Sequence, residues 1–336
     1  MARVEKAVAD LEALSMAAAS PQDLRELLTV VFTTSPIPSN PSTVIVEEVL
    51  ASFSRVPDLA RCNVVLTFDG YVTKEGEGSS KFKSVRISAE EVEQYQAYQQ
   101  NAIEVFRRHL GLSETAVRET FDDEFQIKRR TTARASILRE MEPATGATFT
   151  AITLSKRMGF ALAVREALKH VHTPFVLIHQ HDWTFLHPID ASAICSAMQS
   201  LPETIKYVGF HSRKTLQKKS RPSLPPPTPV DLAGLCVAPL YFWYDKPHIA
   251  RTEHYRNFVF GHGRFQPGDF IEDTLGHSML ADLKARGADA HPEYGTWSYL
   301  CKDDPEQPAL RHTSGRHFRE VVHMRSRRVK KAKDEE

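Results

Sequence analysis

Short apolar runs and segments with helical spacing alternate in the first part of the chain. Leu28–Thr33 and Asn63–Phe68 are continuous apolar runs rich in β-branched residues, which is typical of strands covered on both faces. Between them, Thr43–Phe53 places its apolar residues at helical spacing. The pattern predicts strand, helix and strand in succession, as in a parallel sheet with helical crossovers.

The same alternation returns in the middle of the chain. It predicts strands at Thr148–Leu154, Pro174–His179 and Ile205–His211, with helices at Met158–Val171 and Pro188–Ser200 between them. Repeated β and α units of this kind indicate a layered α/β fold. We therefore expect a mixed, mostly parallel sheet flanked by helices, in a single large domain with helical additions.

The segments outside this alternation have patterns of their own. Ser88 and Glu91 have the spacing of a capping box, which predicts a long helix that runs to Leu110. The heavily charged residues 113–142 favour a helical excursion on the surface. Residues 212–230 are basic and then proline-rich, which favours an irregular connection of the kind that often covers an active site.

The last part of the chain returns to regular patterns. Helical spacing appears in Pro247–Phe258 and in Asp269–Arg286, and Thr296–Leu300 predicts a strand. The predicted segments of the whole chain are an N-terminal helical extension at residues 1–27, a main domain at residues 28–323, and a basic, disordered tail at residues 324–336.

Composition and charge exclude several classes of protein. The 336 residues carry 43 basic and 42 acidic side chains, which argues against a dedicated nucleic-acid binder. No apolar run is long enough to span a bilayer and no secretory signal is visible, so we expect a soluble, cytoplasmic protein. The four cysteines lie far apart in the sequence, which excludes a zinc ribbon.

Unusual residues follow three of the predicted strands. The first strand runs into a rigid, hydroxyl-rich loop, Thr33–Pro41, and the second ends at Asp69 and Gly70. A third strand continues into His179–Trp183, a run that contains Asp182. Functional sites of open α/β sheets lie at the carboxyl ends of the strands. Two acids and a proline-rich loop at such ends together indicate a binding site.

At these residues the chain resembles the GT-A glycosyltransferases, which are nucleotide-sugar-dependent enzymes with a Rossmann-like sheet, and in particular the large inverting family 2. The resemblance covers roughly residues 28–316, in order. It implies a GT-A fold with a nucleotide-binding half at residues 28–211 and an acceptor half at residues 231–323. It also implies a nucleotide-sugar donor and a divalent metal ion at the diphosphate of that donor.

The resemblance assigns roles to particular residues. Gln180–Asp182 stands where the family has its Asp-x-Asp motif, and Glu272 with Asp273 stands where the family has the acidic pair that supplies the catalytic base. The residues assigned to the nucleotide-sugar donor are Thr34, Ser35, Pro36, Ser39, Asp69, Arg157, Gln180 and Arg316. The residues assigned to the metal are Asp182, His181 and His312.

One departure from the family concerns the metal. Gln180 replaces the first aspartate of the motif, which leaves Asp182 as its only carboxylate. One or two carboxylates, together with diphosphate oxygens and water, suffice to hold Mg²⁺ or Mn²⁺. His181 and His312 would add nitrogen ligands, which suit Mn²⁺ better than Mg²⁺. The prediction is therefore a divalent ion, Mn²⁺ or Mg²⁺, although Gln180 leaves open whether the protein requires it.

Cleavage of a sugar–phosphate bond has electrostatic needs that the chain can meet. Negative charge builds up on the leaving diphosphate and must be stabilised. A divalent ion does this as a Lewis acid. Arg157, Arg316 and the basic segment Arg213–Arg221 offer further positive charge, and the planar guanidinium group suits phosphate.

The acceptor hydroxyl needs a base on the side opposite the leaving group, since direct displacement inverts the anomeric carbon. Asp273, or else Glu272, is the predicted base. Tyr241, Trp243 and Tyr244 are a candidate apolar wall against which a sugar ring would stack.

Other functions stay open at this point. His179, His181 and Asp182 superficially resemble the signature of metallo-β-lactamase-like hydrolases, with a different spacing. The missing first carboxylate also fits a catalytically inactive member of the fold that serves as a binding or scaffold module. Purely structural roles are the simpler alternative, because Asp182 can cap a helix and Asp69 can form a turn.

The preferred function is an inverting glycosyltransferase that takes its sugar from a nucleotide-diphosphate donor, with a UDP-sugar favoured. The acceptor is a glycan, a lipid or a protein, and we expect no nucleic-acid partner.

Overall fold

The computed structural model describes residues 23–74, 85–128, 131–216, 224–262, 265–301 and 304–315. The predicted tail and all but the last residues of the predicted N-terminal extension lie outside these ranges, as does Arg316. Among the helices that are described, none combines the length and the apolar character needed to cross a bilayer.

The described residues form both strands and helices. The strands are β1 (Leu28–Thr34), β2 (Asn63–Phe68), β3 (Val72–Thr73), β4 (Arg86–Ile87), β5 (Val117–Lys128), β6 (Thr131–Met141), β7 (Thr148–Leu154), β8 (Phe175–Gln180), β9 (Trp183–Phe185), β10 (Tyr207–Gly209), β11 (Val230–Leu232), β12 (Leu235–Pro239), β13 (His248–Arg251), β14 (Thr296–Tyr299) and β15 (Leu310–His312). The α-helices are α1 (Leu24–Leu27), α2 (Val44–Ser52), α3 (Ala89–His109), α4 (Gly159–Leu168), α5 (Ala191–Ser200), α6 (Arg213–Leu216), α7 (Thr252–His254), α8 (Phe260–His262), α9 (His277–Arg286) and α10 (His291–Tyr294). Two π-helical turns, Tyr255–Val259 and Glu272–Gly276, lie next to these helices.

Eleven of the strands form one sheet in the order β11-β12-β14-β10-β13-β8-β1-β2-β7-β6-β5. The four strands at its centre, β8, β1, β2 and β7, run parallel. Antiparallel strands extend the sheet on both sides, with β13 next to β8 and β6 next to β7. The predicted fold class, a mixed, mostly parallel α/β sheet flanked by helices, is confirmed, and its parallel strands lie at the centre.

The centre of the sheet is buried on both faces. All seven residues of β1 are buried. Because successive side chains of a strand point to opposite faces, Val30 and Phe32 pack in one hydrophobic core and Val31 packs in the other. This double burial explains why the run Leu28–Thr33 shows no polar alternation, and it confirms the predicted strand.

The long helix α3 begins at the predicted capping box. The Ser88 hydroxyl accepts a hydrogen bond from the Glu91 backbone N–H at 3.2 Å, and the Glu91 carboxylate accepts one from the Ser88 N–H at 2.8 Å. The side chains of Tyr95 and Tyr98 are fully buried against the sheet. The helix ends at His109, one residue before the predicted end.

The prediction of a surface helical excursion at residues 113–142 is wrong. This segment forms the antiparallel hairpin of β5 and β6, which lengthens one side of the sheet. Every second residue of β6 from Ala133 to Ile137 is buried, and the charged Arg134 between them is exposed. The segment thus has the period of a strand with one solvated face, and its high charge concealed this period.

The helix predicted at Pro247–Phe258 begins later than expected. Its first residues form β13, which pairs antiparallel with β8 and with β10. Three consecutive residues, His248, Ile249 and Ala250, are buried, as in a strand enclosed on both faces. A run this short carries no period, so the sequence cannot separate it from the helix that follows at Thr252.

The parallel centre brings three strand ends to one edge of the sheet. In the register of the sheet, Thr33 of β1 lies beside Gln180 of β8, and Thr34 lies beside Phe68 of β2. Just beyond this edge, β9 and β15 form a separate two-stranded sheet, in which Trp183 pairs with His312.

Candidate functional site

The ends of β1, β2 and β8 enclose a small cavity, which we call the strand-end cavity. Its volume is about 120 Å³, below the range of about 300–1,000 Å³ that is common for small-molecule sites. The predicted residues that line it are Thr34, Ser35, Pro36, Asp69, Arg157, Gln180, His181 and Asp182. The structure therefore brings together residues that the sequence places at three different strand ends and at the start of α4.

Two donor residues of the prediction are not in this lining. Ser39 lies outside it, and its buried hydroxyl has no hydrogen-bond partner among the described residues. Arg316 lies outside the described residues. Their roles stay predictions.

The loop after β1 is held in shape by polar side chains. The Asn40 amide oxygen accepts a hydrogen bond from the Ile37 backbone N–H at 2.9 Å. At the end of the strand, the Thr34 and Tyr98 hydroxyls form a hydrogen bond of 2.9 Å. These contacts fix the polar wall of the strand-end cavity from the side of α3.

Asp69 joins the end of β2 to the start of α4. Its carboxylate accepts hydrogen bonds from the backbone N–H groups of Met158, at 2.6 Å, and Gly159, at 3.0 Å. Burial raises the pKa of Asp69 to about 6, although these bonds and the nearby Arg157 lower it in part. Both oxygens are thus engaged with the helix N-terminus, a favourable place for an anion.

The fit between this turn and α4 depends on Gly70. A Cβ atom at this position would overlap the backbone of Lys156. The absence of a side chain therefore lets the Asp69 turn approach the residues that precede the helix. The interpretation of Asp69 and Gly70 as a turn is compatible with its place in the cavity wall, because the turn carries the carboxylate there.

The raised pKa of Asp69 predicts a pH-dependent contribution to stability. Its folded-state pKa of about 6 lies above the ordinary value of 3.8, so its stabilising effect is complete below the ordinary value and is lost as the pH rises through 6. A folded-state pKa about two above the ordinary value corresponds to about 3 kcal/mol of folding stability. Relative to Asp69→Asn, the wild-type free energy of unfolding should fall by about this amount between pH 4 and pH 7.

Guanidinium unfolding of both proteins across this range measures that difference. The buried histidines act in the opposite direction, because burial lowers the pKa of groups such as His179 and His248. Their effect is common to both proteins and cancels in the comparison. A difference between the two proteins that stays constant from pH 4 to pH 7 would contradict the raised pKa.

Arg157 supplies a positive charge to the strand-end cavity. Its guanidinium lies against Gly268, since a Cβ atom on Gly268 would come within 2.8 Å of both terminal nitrogens. The buried Nε of Arg157 has no hydrogen-bond partner among the described residues. This arrangement holds a cation beside Asp69 with donor capacity that the described residues leave unused.

Asp182 is held at the mouth of the cavity by the small sheet of β9 and β15. Its Oδ2 accepts a hydrogen bond from Nε2 of His312 at 2.9 Å, and its side chain is 14% exposed. Its backbone carbonyl accepts bonds from the N–H and the hydroxyl of Thr313, at 2.8 and 3.0 Å. Asp182 is therefore fixed by both its backbone and its side chain.

The electrostatic surroundings keep Asp182 ionised. Burial alone would raise its pKa, but His181, His312 and the Gly315 N–H together lower the pKa to about 2. The second carboxylate oxygen, Oδ1, is buried and has no hydrogen-bond partner among the described residues. A buried, charged oxygen without a partner has a strong tendency to take up a cation or a hydrogen-bond donor.

The three predicted metal residues come together at this point. His181 packs against Gly315, where a Cβ atom would lie 2.7 Å from its Nε2. In the part of the chain that the structure describes, no group of three or more His, Cys, Asp or Glu residues is arranged to hold a metal ion. Asp182 Oδ1 nevertheless offers one ligand atom, and His312 Nε2 would offer a second only after releasing its hydrogen bond to Asp182 Oδ2, with diphosphate and water completing the coordination of a divalent ion.

Gln180 connects the strand-end cavity to a residue that sequence analysis missed. Its side-chain amide donates a hydrogen bond of 2.9 Å to the backbone carbonyl of Asp245. Asp245 is 3% exposed, and its Oδ1 has no hydrogen-bond partner among the described residues. The only signal in the sequence is a single acid at the end of the aromatic run Tyr241–Tyr244.

Asp245 and Glu272 form a reciprocal pair. The Asp245 carboxylate accepts from the Glu272 N–H, and the Glu272 carboxylate accepts from the Asp245 N–H, each at 3.2 Å. Burial, followed by the nearby charge of Glu272, holds the pKa of Asp245 well above its ordinary value. The pair ties the π-helical turn Glu272–Gly276 to the loop that Gln180 contacts.

The predicted catalytic acids differ in their surroundings. Glu272 is half-buried and faces Asp245, while Asp273 is exposed. Asp273 lies outside the linings of the cavities formed by the described residues, but its charge contributes to raising the pKa of Asp245. The base assignment stays a prediction.

The structure places two of the three residues of the predicted aromatic wall at a cavity, and stacking against a sugar stays a prediction. Tyr241 and Tyr244 line a cavity of about 970 Å³ together with Phe242. Trp243 is fully buried, with its ring 4.5 Å from that of Tyr207, and so it belongs to the hydrophobic core. Trp243 does not line the cavity that Tyr241, Phe242 and Tyr244 line.

In the structure, one of the metal ligands that the metallohydrolase alternative requires is a core residue. His179 is fully buried, and its ring stacks on Phe32 at 5.6 Å and packs against Phe53 and Phe185. Its Nδ1 forms a hydrogen bond of 2.8 Å with the backbone carbonyl of Gln180. His179 is a core residue and does not line the strand-end cavity.

Comparisons with known proteins give structural neighbours only. No protein-family model matches the sequence, and no curated protein matches it. The solved structures similar to this chain are GT-A-type nucleotide-sugar glycosyltransferases and related nucleotidyltransferases.

Three of these structures illustrate the range. The mannosyltransferase of Pyrobaculum calidifontis, solved with GDP-mannose and Mn²⁺, is 13% identical, with 71% of this chain and 48% of that chain covered and a TM-score of 0.35. The glucosyl-3-phosphoglycerate synthase of Mycobacterium tuberculosis, solved with Mn²⁺, UDP and glucosyl-3-phosphoglycerate, is also 13% identical, with 91% and 79% covered and a TM-score of 0.37. A UDP-glucose pyrophosphorylase solved with UDP-glucose is 10% identical, with 76% and 88% covered and a TM-score of 0.36. This chain thus spans about half the length of the mannosyltransferase, and at such identities and TM-scores the likeness assigns no activity.

Proposed function

We propose that this protein is a glycosyltransferase that takes a sugar from a nucleotide-diphosphate donor. The observation that carries the proposal is the strand-end cavity, whose lining includes Arg157, Asp182 and the polar loop Thr34–Pro36, with His312 bonded to Asp182. A donor of this kind has a polar nucleoside at one end, a dianionic diphosphate in the middle and the sugar at the other end. The lining of the cavity offers hydroxyl groups from the loop, a cation, and a carboxylate oxygen without a partner among the described residues.

In this proposal the loop Thr34–Pro36 and Asp69 bind the nucleoside, and Arg157 binds the diphosphate. Asp182 and His312 would hold Mn²⁺ or Mg²⁺ there, and the ion when bound would act as a Lewis acid on the leaving diphosphate. Arg157 adds a charge-assisted hydrogen bond to the same group. Because the cavity measures only about 120 Å³, a whole donor requires it to widen on binding.

The acidic pair of Glu272 and Asp273 would act on the acceptor. Glu272 is held by its reciprocal bonds with Asp245, whereas the carboxylate of Asp273 is exposed and has no hydrogen-bond or ion-pair partner among the described residues. Asp273 is therefore the proposed base that removes the proton from the acceptor hydroxyl, and Glu272 positions it. Direct attack by the hydroxyl inverts the anomeric carbon.

An inactive binding module is the second candidate, and one observation favours it. Gln180, which stands in place of the first aspartate of the family motif, has its amide engaged by the Asp245 backbone carbonyl. It thus serves the architecture of the site and provides no charge for a metal. Such a module would bind a nucleoside diphosphate without transferring a sugar.

Calorimetric titration of UDP and GDP, each with and without Mn²⁺, tests the proposal. We expect one of them to bind, with Mn²⁺ raising the affinity at least about tenfold, and we expect the matching nucleotide sugar to be hydrolysed slowly when no acceptor is present. Binding without any release of sugar would favour the inactive module. If neither nucleotide binds at millimolar concentration, the proposed donor class is wrong.

A further inference from the structure

We infer that the acceptor of the proposed reaction is an uncharged alcohol with a large apolar part, which binds in the cavity of about 970 Å³ that Tyr241, Phe242 and Tyr244 line. This inference deepens the proposed function and rests on it. Two proline-rich segments, residues 225–229 and 305–308, line the same cavity, which we call the proline-lined cavity. Its volume lies at the upper end of the range of about 300–1,000 Å³ for small-molecule sites.

The buried part of this lining is mostly apolar and is built on the main sheet. Ala238 lies in β12, Leu240, Tyr241 and Phe242 follow that strand, and Leu300 follows β14. Each of these five residues is at most 9% exposed. Because β12 and β14 pair antiparallel in the main sheet, this apolar surface is held in place before a ligand binds. A surface that is already ordered costs less entropy on binding.

The exposed part of the lining is rich in proline. Pro225, Pro226 and Pro227 line one part of the cavity, and Pro305 lines another. Because proline has no backbone N–H, these segments offer rings and carbonyl groups but few hydrogen-bond donors. A polyol that left water for this cavity would give up hydrogen bonds that the prolines cannot replace, whereas an apolar group has none to lose.

The buried polar side chains of the lining have partners within the protein. The Thr215 hydroxyl accepts a hydrogen bond of 2.6 Å from the Lys246 ammonium group, and the Ser298 hydroxyl donates one of 3.4 Å to the Tyr299 carbonyl. Burial, together with the charge of Lys246, lowers the pKa of His211 to about 4, so its imidazole is uncharged at neutral pH. The buried lining thus favours a ligand whose enclosed part is apolar.

The charges of the lining do not favour an ionised ligand. Among its described residues, the side chains charged at neutral pH are those of Arg213, Asp304 and Glu306, and all three residues are exposed. They carry both signs of charge. A charged ligand would therefore find no buried counter-charge in the described lining, and the burial of its charge would cost free energy. An uncharged ligand avoids this cost.

The proline-lined cavity lies beside the turn that carries the proposed base. The Phe242 ring packs on Gly276, where a Cβ atom would come within 2.8 Å of it. Gly276 ends the π-helical turn Glu272–Gly276, which begins with the acidic pair. Asp273 itself is exposed and does not line the cavity. The cavity therefore takes the apolar part of the acceptor, and the reacting hydroxyl stays outside it.

Titration of the full chain with three uncharged probes tests the inference. The probes are 1-octanol, 2-phenylethanol and glucose, measured by calorimetry with and without saturating UDP and Mn²⁺. We expect the better of the two apolar alcohols to bind at least about tenfold more tightly than glucose. Its identity shows whether the apolar part is aliphatic or aromatic, and its binding should persist when UDP is present.

Variants locate the binding site. Leu300→Asn places an amide in the buried lining and should weaken binding of the better alcohol by about tenfold. Pro226→Asn lies at an exposed position of the lining, should weaken binding by about threefold, and is informative even if Leu300→Asn disturbs the fold. Both should leave UDP binding within about twofold. Pro57→Asn, at an exposed proline outside this lining, is the matched control and should change neither.

The outcomes separate this inference from the proposed function. If glucose binds as well as both alcohols, if neither alcohol binds at millimolar concentration, or if both variants bind the alcohol as the wild type does, the inference is wrong while the donor proposal stands. If UDP displaces the alcohol and the two variants weaken UDP as well, the proline-lined cavity belongs to the donor and the inference is again wrong. If the alcohol binds through Leu300 and Pro226 and neither UDP nor GDP binds at all, the apolar site is real, the proposed function is wrong, and the alcohol is then no acceptor.

Discussion

Replacing Asp182 with asparagine is expected to weaken the binding of a nucleoside diphosphate in Mn²⁺ by about 100-fold and to reduce sugar transfer to background. The reason is the state of its carboxylate. With a pKa lowered to about 2, Asp182 is charged at every working pH. Its Oδ1 is buried without a partner among the described residues, and Oδ2 accepts from His312. Asparagine preserves the shape of the side chain and removes the charge that a cation needs.

The binding experiment needs two comparisons. Asp289→Asn removes an exposed acid far from the cavity in sequence and should leave affinity and transfer unchanged. His312→Gln removes the second proposed ligand while Asp182 stays charged, and it should weaken Mn²⁺-dependent binding by a smaller factor, about tenfold. Wild-type affinity in Asp182→Asn, with the Mn²⁺ dependence intact, would place the ion elsewhere.

A second large effect is expected at Asp273. Asp273→Asn should lower the rate of transfer by a factor of about 10² to 10⁴, the range over which general-base catalysis contributes. The affinity for the donor should stay nearly unchanged, because the proposed role of Asp273 concerns only the acceptor proton. Single-turnover kinetics with saturating nucleotide sugar, together with calorimetry of the same variant, measure the two quantities separately.

Glu272→Gln, at the residue before Asp273, tests which of the two acids is the base. Glutamine can still accept the Asp245 N–H, so this variant should keep most of the transfer rate. If Glu272→Gln loses transfer and Asp273→Asn does not, the half-buried glutamate is the base and the exposed aspartate is not. Loss of donor binding in Asp273→Asn would show that the acid serves the donor.

The sequence predicts the centre of this fold well because burial there is complete. The runs at β1, β2 and β8 are largely apolar without regular alternation, which is typical of strands with two covered faces. The outer hairpin of β5 and β6 has one solvated face, and its high charge wrongly predicts a surface helix. A local sequence pattern shows how many faces of a segment are buried more reliably than it shows which elements pack against those faces.

The candidate site shows the same limit more clearly. The strand ends predict that Asp69, Gln180 and Asp182 lie together, and they do. The sequence cannot show that Asp69 accepts from the start of α4, or that Asp245 pairs with Glu272, because both contacts join residues far apart in the chain. Sequence analysis does not identify Asp245 as a site residue, because a single acid beside aromatic residues forms no pattern of spacing.

The small sheet that holds His312 beside Asp182 has a consequence for the proposed site. The histidine is carried by β15, a strand of three residues that is held to β9 by a two-stranded sheet separate from the main one. So small an element opens at a lower free-energy cost than the molecule as a whole, because few contacts are broken when it separates. If the proposed metal site is right, the fraction of molecules able to hold the ion would depend on the local equilibrium of this strand pair, and that fraction would change while the main sheet stays fully folded.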